Sequence, residues 1–488
     1  MHRDAFLYFA MGDHLRLWRM DFPPLIAILA NVQTAIFGHT LAAARIFPML
    51  EGAALLVLAA LIARELGGGP FAQGLAALPM LCEGVFLRSA NLFQPVVLDQ
   101  LWWTLSLYAL LRVGRAAAEE NAREGRRWWL AFGAAAGLGL LTKFSILFIG
   151  LAVLGALLVT PLRRSLRTPW PWAAAAIAFA LGSPSVVGQI RLGFPVVGQM
   201  HDLVGSQLTH VTYASFVLAQ PLMVGASGFL LAVAGAAALI GWRPLAPYRA
   251  AGWACVLVFV LLMALHGKAY YVAPIYPTLI AAGAVWLDGA RLARWPSVPR
   301  VFRWGLVALM LAEGAVGLPI TLPILSPPRT AVYIARAGLE VANATNWGGV
   351  DLIPQDFADM LGWRRQSAVV ARVYRSLASA ERAEAVLGAD NYGEAGALEF
   401  WGRRYGLPYV VCGCGSYWFF GPGSRPGRVL IDVGTDSAKL AALYGDVRRA
   451  ARILSPWSVR EERDVPVWIA RQPRMTLQQA WPKIDHHN

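Results

Sequence analysis

Apolar runs of membrane-spanning length recur over the first two thirds of the chain, separated by short basic or polar breaks. They fall at 41–66, 71–90, 98–113, 128–141, 144–160, 172–189, 215–240, 251–265, 273–288 and 304–325. That makes about ten spans, most of them near the ~20 residues a helix needs to cross a bilayer. A shorter run at 22–37 is introduced by Pro23-Pro24 and reads as a helix lying in the membrane interface. After residue 325 the pattern changes. Ser326-Pro327-Pro328-Arg329 reads as a linker, and strand-like runs at 383–387, 409–412 and 429–433 alternate with helix-like runs at 394–405 and 437–444. Such alternation predicts a small α/β layer with parallel strands. The predicted fold is a polytopic α-helical membrane protein with a C-terminal soluble α/β domain. Its parts are a first outer loop with the interfacial helix (1–40), a transmembrane helical domain (41–325) and the soluble domain (326–488).

Composition supports that division. The chain is 57% hydrophobic and only 15% charged, against about 25% charged in an ordinary soluble protein. Its formal charge of +14 lies largely in arginines between the apolar spans, as expected of cytoplasmic loops. No basic module with interleaved aromatics is present, so nucleic acid is excluded as a partner. The basic segments are Arg112–Arg127, Arg163–Arg167, Arg243–Arg249 and Arg291–Arg303. With all four on the cytoplasmic side, the opposite side receives Asp4, the 88–99 loop, Thr142-Lys143, the 191–214 loop, His266 to Tyr271 and the soluble domain. The first 20 residues contain no continuous apolar stretch of the signal-peptide kind. Asp4 on the outer side therefore leaves two readings: the short N-terminal tail translocates with the first span, or a further helix precedes Asp4, and the second is the expectation. Cys82 and Cys255 sit in apolar runs as small hydrophobes, and Cys412-Gly413-Cys414 reads as two loop thiols or a local disulfide without further metal ligands.

The polar groups gathered on one face supply the candidate chemistry. Asp4 is either a general base for an acceptor hydroxyl or amine, or a solvated carboxylate. Asp99, at a predicted helix entrance, is either a site residue or a helix-terminal partner of the dipole. Lys143 interrupts an apolar run, where a cation needs a polar cavity or a partner. Lys143 and Lys268 are the only lysines before the soluble domain. Both fall on the outer face, where a phosphate would reward two point charges. His266 accompanies them, and Tyr270 and Tyr271 either hydrogen-bond that phosphate or serve as interfacial belt aromatics. Asn391-Tyr392-Gly393-Glu394-Ala395-Gly396 is a strand-to-helix turn, structural or anion-binding. No Walker loop, zinc pair or hydrolase elbow is present.

Several of these pieces resemble glycosyltransferase family 39, the dolichyl-phosphate-mannose–protein mannosyltransferase-like group of the GT-C fold, related to the lipid A aminoarabinose transferases. They are Arg3-Asp4 with Tyr8, Phe22-Pro23-Pro24-Leu25, and Phe93-Gln94-Pro95 running to Trp102-Trp103. Gly139 to Phe144, Gly267-Lys268-Ala269-Tyr270-Tyr271 with Pro274 and Tyr276-Pro277, and Ile353-Pro354-Gln355-Asp356 running to Met360 continue the series. The Asn391–Gly396 turn and Tyr405-Gly406-Leu407-Pro408 complete it, so the resemblance spans nearly the whole chain. It implies an inverting transfer of a sugar from a polyprenyl-phosphate donor, with Asp4 as base, Asp99 a second acidic position, and Lys143 and Lys268 beside the donor phosphate. The acceptor would be a lipid, a glycan or a protein, and the setting the bacterial inner membrane with the active site and soluble domain in the periplasm. No cofactor is required, and a divalent metal stays open. Two departures stand out: Ala5 where the family usually has a Glu after the acid, and Phe22 where it often has a His. The alternative from another class is a carrier that binds or transports the lipid-phosphate glycan without transfer. Internal repeats with matched broken helices would mark it; none is seen. A catalytically dead, glycolipid-binding member is a third reading.

Overall fold

The computed structural model describes residues 1–289 and 298–484. The chain is mostly helical and folds as a multi-pass membrane protein. It opens with α1 (Arg3–Asp13) and α2 (Leu25–Phe37), followed by α3 (Ala43–Glu65), α4 (Pro70–Cys82), α5 (Gly84–Asn91) and α6 (Pro95–Ala118). Next come α7 (Ala122–Leu140), α8 (Ile146–Val159), α9 (Trp170–Arg191), α10 (Pro195–Ser206), α11 (Tyr213–Val224) and α12 (Ala226–Gly241). The set is completed by α13 (Arg249–Ala264), α14 (Tyr276–Gly289) and α15 (Val298–Thr321). Among the described residues, five helices are long and apolar enough to cross a membrane, or up to eight spans if each bent pair counts as one. All ten apolar runs of the sequence fall on helices.

Two of those runs, 71–90 and 215–240, are not single spans. The first bends by 60° between α4 and α5, the second by 110° between α11 and α12. Glu83 in extended backbone makes the first break, and Gly225, at φ +71°, makes the second. Close packing elsewhere depends on small residues. A Cβ on Gly235 would stand 1.8 Å from the Leu279 carbonyl oxygen, and one on Gly283 would stand 2.0 Å from that of Leu231. α12 and α14 therefore meet backbone to backbone, as small-residue seams permit between helices in lipid.

Chain direction sorts the polar segments. α6 starts beside Asp4, through Gln94, and ends at the arginine-rich end. There Glu65 is gripped by Arg112 (3.4 Å), Arg115 (3.5 Å) and the Tyr248 hydroxyl. The 3₁₀ turns at Pro161–Arg167 and Arg243–Tyr248 lie at that same end. Arg303 pairs with Asp288 at 3.1 Å there, while Arg291 and Arg294 lie outside the described residues.

At the other end sits the C-terminal domain, reached through α16 (Pro327–Ala337) and built on α17 (Gln355–Ala358), α18 (Trp363–Ser376), α19 (Ser379–Glu384) and α20 (Tyr392–Gly402). Its sheet has β1 (Ala385–Ala389), β2 (Val410–Cys412), β3 (Val429–Val433), β4 (Tyr444–Leu454) and β5 (Asp464–Pro473) in the order β2-β1-β3-β5-β4. β1 pairs in parallel with β2 and β3, as the sequence pattern predicts. β5 and β4 then run antiparallel, so the sheet is mixed rather than parallel throughout. β4 escapes the pattern because, as an edge strand, it carries Arg448, Arg449 and Arg452 among its residues. Charge on an edge blocks unwanted pairing and hides the strand's periodicity. Cys412 and Cys414 are free, buried thiols.

α1 is the joint between the two parts, and residues 3–13 of the expected outer loop are helical. Phe6 packs edge-on against Trp363 (6.0 Å) and Phe400 (5.6 Å) of the C-terminal domain. Phe9 stacks on Phe93 (4.9 Å), at the entrance to α6. On the facing helix α20, a Cβ at Gly396 would stand 2.6 Å from the Phe6 Cβ, and one at Gly393 would stand 3.0 Å from the Arg3 Cβ. The Asn391–Gly396 turn thus acts first as a docking seam. Asn391 caps α20 by accepting from the Gly393 and Glu394 amides, and Glu394 returns a capping-box bond to the Asn391 N–H.

Candidate active site at the domain junction

Asp4 lies in the first turn of α1, where a carboxylate is favoured by the helix dipole. Each of its oxygens accepts one hydrogen bond from a distant part of the chain. The Tyr392 hydroxyl donates to Oδ1 at 2.9 Å and Gln94 Nε2 donates to Oδ2 at 2.9 Å. His2 is the N-cap of α1, and its Nδ1 accepts from the Asp4 N–H at 3.2 Å. The other face of that imidazole looks toward Asp359 (3.7 Å) and Asp356 (3.9 Å). Arg3 pairs with Asp359 (3.0 Å) and Glu461 (3.0 Å), and Arg88 with Asp356 (3.2 Å). The Asp4 side chain keeps 30% of its surface exposed within this frame. It is both oriented and reachable, the two conditions a general base must meet.

A second cluster forms where α6 meets the α7–α8 turn. Asp99 is buried one turn inside α6 and does not cap it, since Gln94 and Pro95 occupy the helix entrance. Ser145 Oγ lies at hydrogen-bonding distance from both carboxylate oxygens (2.8 and 2.9 Å), and Lys143 Nζ lies 3.9 Å away. The same ammonium lies over the rings of Tyr271 (4.6 Å) and Tyr270 (5.7 Å), within cation–π range. Asp99 therefore holds Lys143 from behind, and the tyrosines hold it from the side.

Lys268 precedes the 3₁₀ turn Ala269–Ile275, and its Nζ donates to Gln207 Oε1. Burial and then the neighbouring Lys143 charge pull its pKa down to about 8, while Asp4 and Asp356 act in the opposite sense. The two lysines and the two carboxylates thus share one electrostatic basin. His266 is directed elsewhere: its Nδ1 faces the Val211 carbonyl oxygen at 2.7 Å and its ring stacks on Tyr213 at 4.7 Å. Ala5 is buried against the apolar joint, and Phe22 packs on Tyr8 at 6.0 Å. Among the described residues, no group of three or more His, Cys, Asp or Glu side chains is arranged to hold a metal ion.

The sequence assigns no individual role to Gln94, Arg3 or Asp359, and places Tyr392 only in a turn that is structural or anion-binding. Nothing local shows that Gln94 and Tyr392 meet at Asp4.

Behind the seam lies a set of buried carboxylates. Glu462 accepts from Asn391 Nδ2 at 2.8 Å, and burial pushes its pKa up to about 7. Burial likewise pushes Asp432 up to about 7 and Asp359 up to about 6. These folded values exceed the unfolded ones, so between about pH 4 and 7 the folded state binds more protons than the unfolded state. Their contribution to stability is greatest on the acid side of that window and is lost as pH rises through it. We expect the thermal transition of the purified protein to fall as pH is raised from 5 to 8. The slope should be shallower in Glu462→Gln, which keeps the acceptor for Asn391. Equal slopes in the two proteins would refute this account.

Residues 21–187 match the family model of the dolichyl-phosphate-mannose-protein mannosyltransferases, a segment that includes Asp99 and Lys143 but neither Asp4 nor Lys268. No curated protein matches the sequence. The crystal structure of ArnT from Cupriavidus metallidurans bound to undecaprenyl phosphate aligns at 17% identity with a TM-score of 0.63, covering 96% of this chain and 92% of that one. Its apo form aligns at 17% identity with a TM-score of 0.64, covering 95% and 92%. The oligosaccharyltransferase AglB from Archaeoglobus fulgidus, in complex with an inhibitory peptide and a dolichol-phosphate, aligns at 13% identity with a TM-score of 0.47, covering 88% of this chain and 65% of that one. The protein thus carries the GT-C fold of ArnT along almost its whole length, with the sequence pattern of the mannosyltransferase family over residues 21–187.

Proposed function

We propose that the protein is a glycosyltransferase that moves a sugar from a polyprenyl-phosphate donor to an acceptor at the face carrying the C-terminal domain. The observation that carries the reading is the shared basin of Asp4, Lys143 and Lys268: an accessible carboxylate and two cations beside the bilayer boundary. The likeness to an ArnT structure that holds undecaprenyl phosphate supports the donor class.

In this mechanism Asp4 takes the proton from the acceptor hydroxyl or amine as that atom attacks the anomeric carbon from the face opposite the phosphate. The anomeric C–O bond breaks with its electron pair, the configuration inverts, and polyprenyl phosphate leaves. Lys143 and Lys268 neutralise the charge that develops on the phosphate, as preorganised cations do at a departing anion. Asp99 acts through Lys143, by holding it, and does not touch the donor. The arginine-rich end faces the cytoplasm under the positive-inside rule, which puts the reaction on the periplasmic side of a bacterial inner membrane. Ala5 leaves Asp4 as the sole acid of the first turn, so the proton has one destination.

The test is reconstitution in liposomes with a radiolabelled polyprenyl-phosphate sugar and a membrane extract as acceptor source. Label should pass to the extract and free polyprenyl phosphate should appear in equal amount. Saturable donor binding with no release of polyprenyl phosphate would leave a carrier and remove the transferase.

The lysines give a further expectation. Lys143→Ala should lower transfer by about 10²-fold, the scale seen when one charge-stabilising group is removed from an active site. Donor affinity should also fall as pH rises through about 8, where Lys268 loses its proton. Lys268→Arg, which stays charged, should flatten that limb. A wild-type affinity that is constant from pH 7 to 9 would take Lys268 out of the phosphate site.

A further inference from the structure

The connection between α16 and α17 contains a small hairpin with an unusual surface. Ala344 and Val350 form an antiparallel bridge, Thr345 N–H donates to the Gly349 carbonyl at 2.8 Å, and Gly348 N–H donates to that of Thr345 at 3.1 Å. From residue 341 to 350 there is no charged side chain, in a C-terminal region otherwise dense in arginine. Its apolar groups point outward: Val350 is 78% exposed, Val341 61%, Trp347 53% and Leu352 49%. Asp351, the first charge that follows, is turned inward and bound by Arg463.

Two contacts place this hairpin at the membrane boundary. On one side, the Tyr333 hydroxyl of α16 donates to the Val316 carbonyl oxygen at 2.7 Å, inside the membrane-spanning part of α15. On the other, Gly348 lies so close to His210 that a Cβ there would stand 3.0 Å from the imidazole Nδ1. His210 is three residues ahead of α11, which exposes Leu218 and Leu222 (68% and 65%). The hairpin thus lies against the segment that leads into α11, whose exposed leucines belong to the apolar pair α11–α12.

We propose that the hairpin inserts Trp347 and Val350 into the headgroup region of the leaflet on the domain-bearing side, giving the C-terminal domain its own membrane contact. Tryptophan is the residue most favoured at that depth, with its ring among the upper acyl carbons and its N–H toward water. A segment without charge pays no ionic desolvation on entering. A second copy or a soluble protein fits less well, because the two anchoring contacts hold the hairpin level with the lipid headgroups. The proposal is independent of the transferase reading.

Depth-dependent quenching tests it. Trp347→Cys, in a Cys82→Ala background that leaves only buried native thiols, is labelled with an environment-sensitive fluorophore and reconstituted into liposomes. The liposomes carry lipids spin-labelled near the headgroup or near the chain end. Emission should shift to the blue and be quenched several-fold more by the shallow label than by the deep one. Val350→Cys should behave alike, and Ser424→Cys, on an exposed loop of the same domain, should be quenched by neither. A blue shift without lipid quenching at both hairpin positions would mean that protein covers them. Emission as in water at both would mean nothing does. Either result overturns the proposal. The thermal transition of each variant serves as the check on folding.

Discussion

Asp4→Asn is expected to lower sugar transfer by about 10²–10⁴-fold, the range attributed to a positioned general base, while donor binding stays at its wild-type level. The substitution is nearly isosteric, and its surroundings can absorb it. The amide oxygen can still accept from Tyr392, and Gln94 can turn its own amide to face the new –NH₂ with a carbonyl, giving up its contact with His2 Nδ1 at 3.2 Å. The Asp4 backbone N–H keeps its bond to His2. What disappears is the capacity to carry the acceptor's proton. Single-turnover transfer with preloaded donor separates this from binding: the burst should be lost although the donor is retained. A variant that keeps more than about a tenth of wild-type turnover would show that another group takes the proton.

Gly396→Val should be the most damaging change outside the two charged clusters. The added Cβ alone would stand 2.6 Å from the Phe6 Cβ and 2.9 Å from the Phe6 backbone carbon. A methyl tip could turn aside, but a backbone atom inside α1 cannot, so α20 has to move away from the joint. Overpacking of this kind costs about 1–3 kcal/mol. The functional cost is larger, since α20 carries Tyr392 and lifting it takes the hydroxyl off Asp4. We expect a lower thermal transition together with loss of most transfer. Tyr392→Phe, which removes the hydroxyl but leaves the seam closed, should keep its transition near that of the wild type and lose less activity. If Gly396→Val melts and turns over like the wild type, the seam does not hold the domain in its working position.

The membrane part of the fold was readable because apolar runs need no partner to be recognised: a residue that must face lipid announces itself alone. The bends at Glu83 and Gly225 were not, since a broken span and a straight one have the same composition. α1 read as a loop because Arg3, Asp4 and Asp13 mark a polar stretch, whereas its Phe6 and Phe9 are buried by elements that lie far along the chain. β4 was masked by the arginines that protect it as an edge. Lys143 was conspicuous as a charge in an apolar run, and the structure joins it to Asp99 and the tyrosines as that cost requires. His266, singled out for its place beside Lys268, is instead turned toward the α10–α11 connection. The partners of Asp4 could not be read at all. Gln94 is 90 residues away and Tyr392 is 388, and no local pattern marks a hydroxyl that will arrive from another domain.

That separation has a consequence for biosynthesis. At about 5–20 residues per second, a ribosome reaches Tyr392 roughly 20–80 s after Asp4. Throughout that interval the spans can insert and the lysine cluster can form, but the carboxylate lacks one of its two hydrogen-bond donors and α1 has no helix to close over it. Under the proposed mechanism, a chain interrupted before Tyr392 would hold Asp4 without its hydroxyl partner and would be inert rather than half-active.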